Sequence, residues 1–366
     1  MLDLVVGALR EALARARRCA GGCVPGRRLL ALQVLITGGC GFIGTNLVLD
    51  RLGRGDSVRV LDNCSRAGTE RNRAHLESLG EASLELVDGD VRDAQLVAEA
   101  AADADTIFHL AAQVAVTDSV RDPRNDFEVN ALGTLNVLEG ARLSGRQPLV
   151  VYTSTNKVYG GLDDLEVVGT ETRYELPALA GGVPETRPVD FHSPYGCSKG
   201  AADLYAIDYA RIYGIPTVVF RQSCIYGPWQ YGNEDQGWMA HFLIRALRGE
   251  QITLYGDGRQ VRDVLFVDDL LGLYDVTVER RGDVGGRVYN VGGGPALTVS
   301  LLEFLDHLRE AEGLELDVGF GEWRPGDQRV YVSDVSRVER ELGWVPSTSV
   351  ADGTGRLREW LETTPG

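Results

Sequence analysis

Residues 32–52 read LQVLITGGCGFIGTNLVLDRL: a short apolar run, a cluster of glycines, then apolar residues at helical spacing. That order predicts a strand, a tight turn and a helix. Gly38, Gly41 and Gly44 form a GxxGxxG spacing, with Phe42 and Ile43 opening the helix. Glycine at these posts lets a backbone approach a pyrophosphate at the positive end of the helix while the helix packs closely on the strand. The next apolar run, SVRVLDN at 57–63, ends in Asp62. A carboxylate about 20 residues beyond the glycines is where adenosine ribose hydroxyls are bound. It disfavours a 2′-phosphate, so NAD is expected rather than NADP, although Arg66 pulls the other way.

Working outward, SLELVDGDVRD at 83–93 predicts a third strand that brings Asp90 and Val91 beside the adenine. DTIFHLAAQV at 105–114 predicts a fourth, ending in His109 and followed by Leu110, Ala111, Ala112 and Gln113. Small residues there suit a backbone lying close to a dinucleotide, with Asn63, Ser65 and Arg66 in the loop after Asp62. Strands alternating with helices imply an α/β fold, a Rossmann-type doubly wound parallel sheet. The segment 122–145 has apolar residues at three and four spacing and is expected to be a helix stopped by Gly145. Asn130 lies within it, placed to tie neighbouring loops together. PLVVYTSTNKVYG at 148–160 then predicts a buried strand running into a polar loop, carrying Thr153 and Thr155 at the end where such sheets place their chemistry.

The chain has 366 residues, enough for about two domains. Its net charge of −16 argues against a general nucleic-acid or anionic-membrane binder. No apolar run reaches the roughly 20 residues of a membrane-spanning helix. The six cysteines are scattered without a CxxC pair or a histidine at metal-ligand spacing, so no metal is expected and reduced cytoplasmic thiols fit. Residues 1–31, with six arginines against Asp3 and Glu11, stand apart as an N-terminal extension without the pattern of a secretory signal.

Of 37 basic residues only Lys157 and Lys199 are lysine. A lysine differs from arginine in being a compact ammonium that reaches one hydroxyl and changes protonation when buried. Lys199 follows Tyr195 by four positions in SPYGCSKGAADLYAIDYARIYG, 193–214, whose spacing predicts a helix capped by Ser193 with both side chains on one face. A phenol near its usual pKa of ~10 is a poor base, and bringing it to neutrality takes roughly 4 kcal/mol of differential stabilisation, within reach of two cations in a partly desolvated cleft. Thr155 would hold the substrate oxygen in line.

With the glycine turn, LDN, GDVRD, HLAAQV and YxxxK in place, followed by FRQSCIYGP, GDGRQVRDVLFVDDL, YNVGGG and WRPGDQ, the chain over 32–363 resembles the extended short-chain dehydrogenase/reductases of the nucleotide-sugar epimerase and dehydratase group. The resemblance implies Tyr195 as acid/base, Lys199 on the nicotinamide ribose and Thr155 as hydroxyl partner. It implies an NAD-binding domain over 32–221, with segments near 261–292 returning to it, and a smaller α/β domain over 222–366 that receives a nucleotide diphosphate sugar. Asn156, Lys157, Gln222, Arg262, Arg324 and Asp327 fall at substrate-contacting positions, the arginines suited to a diphosphate. Trp229, Tyr231 and Trp238 are either a base or sugar platform or core. A homodimer through helices near 125–143 and 195–213 is also implied.

Within that family, 4,6-dehydratases carry an Asp-Glu pair after the threonine. Asn156 and Lys157 cannot replace such an acid/base pair, which disfavours dehydration. The segments STNKVYG, ETRYE, LDNCSRAG and GNEDQGW are similar to 2-epimerases acting on CDP-hexoses. A UDP-hexose 4-epimerase and a catalytically silent NAD-sensing regulator are the competing expectations. The retained Tyr-Lys pair weighs against the regulator.

Overall fold

The computed structural model describes residues 31–324 and 327–364. All but the last residue of the expected N-terminal extension lie outside the described residues.

The apolar runs form the strands β1 (Gln33–Thr37), β2 (Ser57–Asp62), β3 (Leu84–Asp88), β4 (Thr106–His109), β5 (Leu149–Thr155), β6 (Thr217–Gln222) and β7 (Arg287–Val291). They build one seven-stranded sheet in the order β7-β6-β5-β4-β1-β2-β3, every pairing parallel. Successive side chains take opposite faces. Ile36, Phe108, Val151 and Phe220 pack into the core on one side. Their neighbours Leu35, Ile107 and Val150 pack against Val137 and Leu138 on the other. Both faces are covered by helices, which is why these strands read as continuous apolar runs. The order reverses between β1 and β4, and the crevice beyond their carboxyl ends is the ligand-binding place of such sheets.

The stretch 122–145 is not one regular helix. Helices Pro123–Phe127 and Gly133–Leu143 are joined by a π-helical turn over Glu128–Leu132. That wider turn holds Asn130, whose carboxamide donates to Gln113 O at 3.0 Å and accepts from Gln113 N at 2.9 Å. It fixes the loop that follows β4.

Four short strands, Cys224–Tyr226, Val261–Phe266, Thr298–Ser300 and Val330–Tyr331, make a smaller mixed sheet in which Val261–Phe266 pairs with the other three. Of the segments near 261–292, then, Arg287–Val291 lies in the large sheet and Val261–Phe266 in the small one. Phe242, Leu254, Phe266 and Phe304 give this region a core of its own. Trp238 packs edge-on to Phe242 and Phe304, and Trp229 and Tyr231 pack against Trp360. Trp238 is thus packed into that core, while Trp229 and Tyr231 are half-buried and also line a cavity with Gly41, Phe42 and Arg66.

Helix Ser193–Tyr213 lies on the large sheet, its start held by the Ser193 hydroxyl accepting from Gly196 N at 3.3 Å. Its middle is pinned by a buried ion pair, in which Arg221 of β6 donates to both oxygens of Asp203 at 2.8 and 3.0 Å. Ser154 of β5 donates to the same carboxylate at 2.8 Å, and Arg221 donates to the Tyr159 hydroxyl at 3.0 Å. With side-chain exposures of 6% and 1%, neither charge has water to fall back on. Breaking such a pair by removing one charge costs roughly 3–5 kcal/mol, whereas an apolar replacement of both partners is near neutral. Asp203→Asn should therefore lower the denaturation midpoint sharply, and Asp203→Leu combined with Arg221→Met should recover most of it. Equal losses in the two variants would contradict the account.

Candidate active site

The glycine turn is shaped for a close approach. Gly38 has φ +74°, and a Cβ there would sit 2.6 Å from Ala111 N. A Cβ on Gly44 would meet Gly38 O at 2.3 Å. Only glycine fits either post, and the helix Phe42–Gly53 starts directly after Gly41 with its first amides free of a side-chain cap. Asp62 closes the far side, accepting from Cys40 N at 2.8 Å and Cys64 N at 2.9 Å. Burial pushes its carboxyl up, against the pull of those two amides. A carboxylate held on the glycine turn with lone pairs to spare suits a ribose diol.

Asp90 is less free than its sequence position implied. Arg92 grips it at 2.7 and 2.9 Å and Asn63 donates to it at 2.8 Å, a set that brings it down to about 2. Its oxygens are thus already engaged within the chain. Ser65 N donates to the Asn63 side chain at 3.1 Å, ordering the same loop. Val91 is buried beside them. His109 is structural: its ring bridges Thr37 at 2.7 Å and Thr134 at 2.9 Å, and full burial drives it down to about 3. Leu110 N and Ala111 N turn back to Thr37, at 3.0 and 3.4 Å, and Ala112 and Gln113 complete that loop.

Thr155, Tyr195 and Lys199 come together at the carboxyl end of β5, all buried. Burial pushes the Tyr195 phenol up to about 12; the Thr155 hydroxyl and Arg66 guanidinium pull it down, and Asp126 adds to the rise. The expected help from Lys199 is absent in the protein alone. Its ammonium donates to Thr153 O at 2.6 Å and lies 4.4 Å from the Tyr152 ring centre, while burial brings it down to about 7 despite Asp126 and Asp203. Desolvation outweighs both carboxylates at Lys199, and at Tyr195 it outweighs the pull of Thr155 and Arg66. Thr153 in turn donates to His109 O at 3.0 Å, tying β5 to β4.

Beyond Thr155 the chain turns through Asn156–Tyr159. Thr155 Oγ1 contacts Asn156 Oδ1 at 3.3 Å, and Lys157 N donates to Thr155 Oγ1 at 3.2 Å. The Lys157 ammonium donates to Gln328 Oε1 at 3.2 Å and is brought down to about 8, first by burial and then by Arg262, with Asp327 and Cys224 opposing. Arg262 donates to Asp327 at 2.7 Å. Arg262 is paired with Asp327 while the Lys157 ammonium rests on an amide oxygen with no carboxylate in contact among the described residues, an arrangement suited to an anionic group. Arg324 stands apart from this group: it donates to Glu234 O at 2.8 Å and lies 3.9 Å from the Tyr255 ring centre. Gln222 points into the core, donating to the Tyr274 hydroxyl at 3.1 Å.

Sequence reasoning missed three contributors. Gln328, next to Asp327 in WRPGDQ, bridges Lys157 to Gly160 O at 2.5 Å. Asp126 and Ser198 form a buried pair beneath Tyr195, Ser198 Oγ donating at 2.5 Å, and only its YxxSK spacing hinted at it. Arg66 was placed at the adenosine end, yet its guanidinium reaches toward Tyr195 and Asp118.

Residues 34–292 match the family described as "NAD dependent epimerase/dehydratase family". Over 339 residues the chain is 41% identical to CDP-paratose 2-epimerase of Salmonella typhi, covering 91% of this chain and 100% of that protein. It is 33% identical to UDP-glucose 4-epimerase of Mycolicibacterium smegmatis, covering 90% and 98%. Among solved structures, the UDP-glucose 4-epimerase of Thermus thermophilus in complex with NAD superposes with a TM-score of 0.76 at 32% identity, covering 91% and 100%. The chain is a member of the NAD-dependent epimerase/dehydratase family.

Proposed function

We propose that the protein is an NAD-dependent epimerase that inverts C2 of a CDP-hexose through a transient keto-sugar. The reading is carried by the loop after Thr155: an amide and a cation, Asn156 and Lys157, occupy the posts at which elimination chemistry would need carboxyl groups. The 41% identity to the Salmonella typhi 2-epimerase supports the same position on the sugar.

The NAD-binding domain over 32–221 would hold the dinucleotide with Gly38, Gly41, Gly44 and Asp62, and the region 222–366 would receive most of the nucleotide sugar. When bound, NAD supplies a store for the hydride taken from and returned to the sugar carbon, and a positive ring. The Tyr195 oxygen takes the proton of the reacting hydroxyl and gives it back, while Thr155 donates to or accepts from the same sugar oxygen. Lys199, released from Thr153 O, would donate to a ribose hydroxyl. Lys157 and Arg262 face the anionic or hydroxyl-rich part of the substrate. A family-typical SPYGCSKG motif keeps a UDP-hexose 4-epimerase as the second reading.

The scattered cysteines, without the spacing of a disulfide framework, support a cytoplasmic enzyme; among the described residues no helix is long and apolar enough to cross a membrane. Val120, Phe127, Leu143, Leu204, Tyr205 and Ile212 stand exposed along the helices 116–143 and 193–213, and support a homodimer through those helices.

Purified protein with catalytic NAD and a panel of CDP- and UDP-hexoses, followed by proton NMR, should show an altered H-2 coupling without accumulation of reduced cofactor. A changed H-4 signal instead would assign the 4-epimerase reading. Tyr195→Phe should keep its bound NAD and lose turnover by roughly 10²–10⁴-fold; unchanged turnover would remove Tyr195 from the chemistry. A lysine is charged below its pKa, so the wild-type KM for the sugar should rise as pH climbs through about 8, where the Lys157 ammonium is lost. Lys157→Met should have a high KM that is flat in pH, and a parallel pH rise in that variant would refute the assignment. Sedimentation should give a dimer for the wild type and a monomer for Leu204→Asp with Ile212→Asp; a wild-type monomer at micromolar concentration ends the dimer proposal.

A further inference from the structure

Cys40 and Cys64 are 24 positions apart by number, one in the glycine turn and one just past β2. The fold brings them to the same carboxylate. Asp62 accepts from the backbone amide of each, and the two sulfur atoms and an Asp62 oxygen all lie within 4.8 Å of one another. The two thiols differ in setting. Cys40 is 1% exposed and packed in the core, and burial, Asp62 and Cys64 all push its thiol up. Cys64 is partly open to solvent, with the Arg73 guanidinium against it. Its backbone has φ +49°, a left-handed conformation that a non-glycine residue rarely takes and that turns the chain back toward the glycine turn. Neither cysteine has a part in the epimerisation described above.

We propose that Cys40 and Cys64 are a peroxide-responsive dithiol at the adenosine-ribose end of the cofactor cleft, and that closing it to a disulfide excludes NAD. Accessibility makes Cys64 the attacking sulfur. Its thiolate attacks one oxygen of a hydroperoxide; the S–O bond forms, the O–O bond breaks, and the departing hydroxide or alkoxide takes a proton to become water or alcohol. The sulfur of Cys40 then attacks the sulfenic sulfur of Cys64. An S–S bond forms and the S–O bond breaks, with the Cys40 proton leaving on the hydroxyl as water. Two thiols are oxidised by two electrons in all, and one hydroperoxide is reduced. The new bond draws Cys64 over Asp62 and covers the carboxylate oxygens that the ribose would use. This consequence rests on the reading of Asp62 as the ribose ligand. A loaded cofactor covers the same place and should protect the pair.

The test uses the full-length protein, with and without added NAD, treated with hydrogen peroxide. Peptide mass mapping should find a Cys40–Cys64 link, lighter by two hydrogen atoms. NAD binding should weaken by about tenfold or more and return with dithiothreitol. Added NAD should suppress the link. Cys64→Ser, and Cys64→Ala as a second variant should serine perturb the turn, should show the same NAD affinity before and after peroxide. Oxidation confined to Cys197, a link to Cys19 or Cys23, or a mapped Cys40–Cys64 link that leaves NAD binding intact would each overturn the proposal. Asp62→Asn, measured in the reduced protein, separates the two ideas: if NAD affinity is unchanged in it, the ribose reading fails whether or not the link forms.

Discussion

The buried ion pair between Asp203 and Arg221 is the contact on which the placement of Thr155, Tyr195 and Lys199 depends. It joins the helix that carries Tyr195 and Lys199 to β6, and through Ser154 it also holds β5, the strand that ends in Thr155. A charge pair in a dry interior tolerates little displacement, because each donor and acceptor lost leaves an uncompensated charge. The same chain of contacts continues through Tyr159, which accepts from Arg221 and donates to Asn290 of β7 at 2.7 Å. Three strands, a helix and the loop after Thr155 are therefore registered to one another by hydrogen bonds of fixed direction, where apolar packing alone would allow sliding.

That rigidity serves an electrostatic arrangement dominated by desolvation. Tyr195 is held neutral, Lys199 and Lys157 are both brought toward neutrality, and in each case burial is the larger cause. Such groups respond strongly to an arriving charge, since a cation or anion placed in the same dry volume acts with little screening. The protein as a whole carries −16, yet Lys157, Arg262, Lys199 and Arg66 line the cleft. Asp126, Asp203 and Asp327 stand among these cations, so the region is a set of opposed charges in a dry volume.

Much of the fold was legible because its signals are local. The run of apolar residues, the glycine spacing and Asp62 depend on neighbours within one βαβ unit, and the matching strands, turn and helix follow from them. The Tyr-Lys pair was legible for the same reason, being one helical turn apart. The segment near 261 was not, because a buried strand has the same apolar signature whichever sheet receives it. Trp238 was equally silent between platform and core, since Phe304, which packs edge-on to it, comes from a distant element. Asp90 looked like a free ligand because nothing in its position announces that Arg92 and Asn63 already hold it.

By itself the sequence determined the secondary elements, the glycine turn and the candidate reacting side chains, all set by backbone stereochemistry and short-range spacing. Only the tertiary structure decided what those side chains are at rest. It placed Lys199 on Thr153 O, put Lys157 between Gln328 and the Arg262–Asp327 pair, and brought Cys40 and Cys64 to one carboxylate. The physical reason is range: conformational preference acts within a few residues, whereas burial and charge act through space among groups the chain sequence keeps far apart.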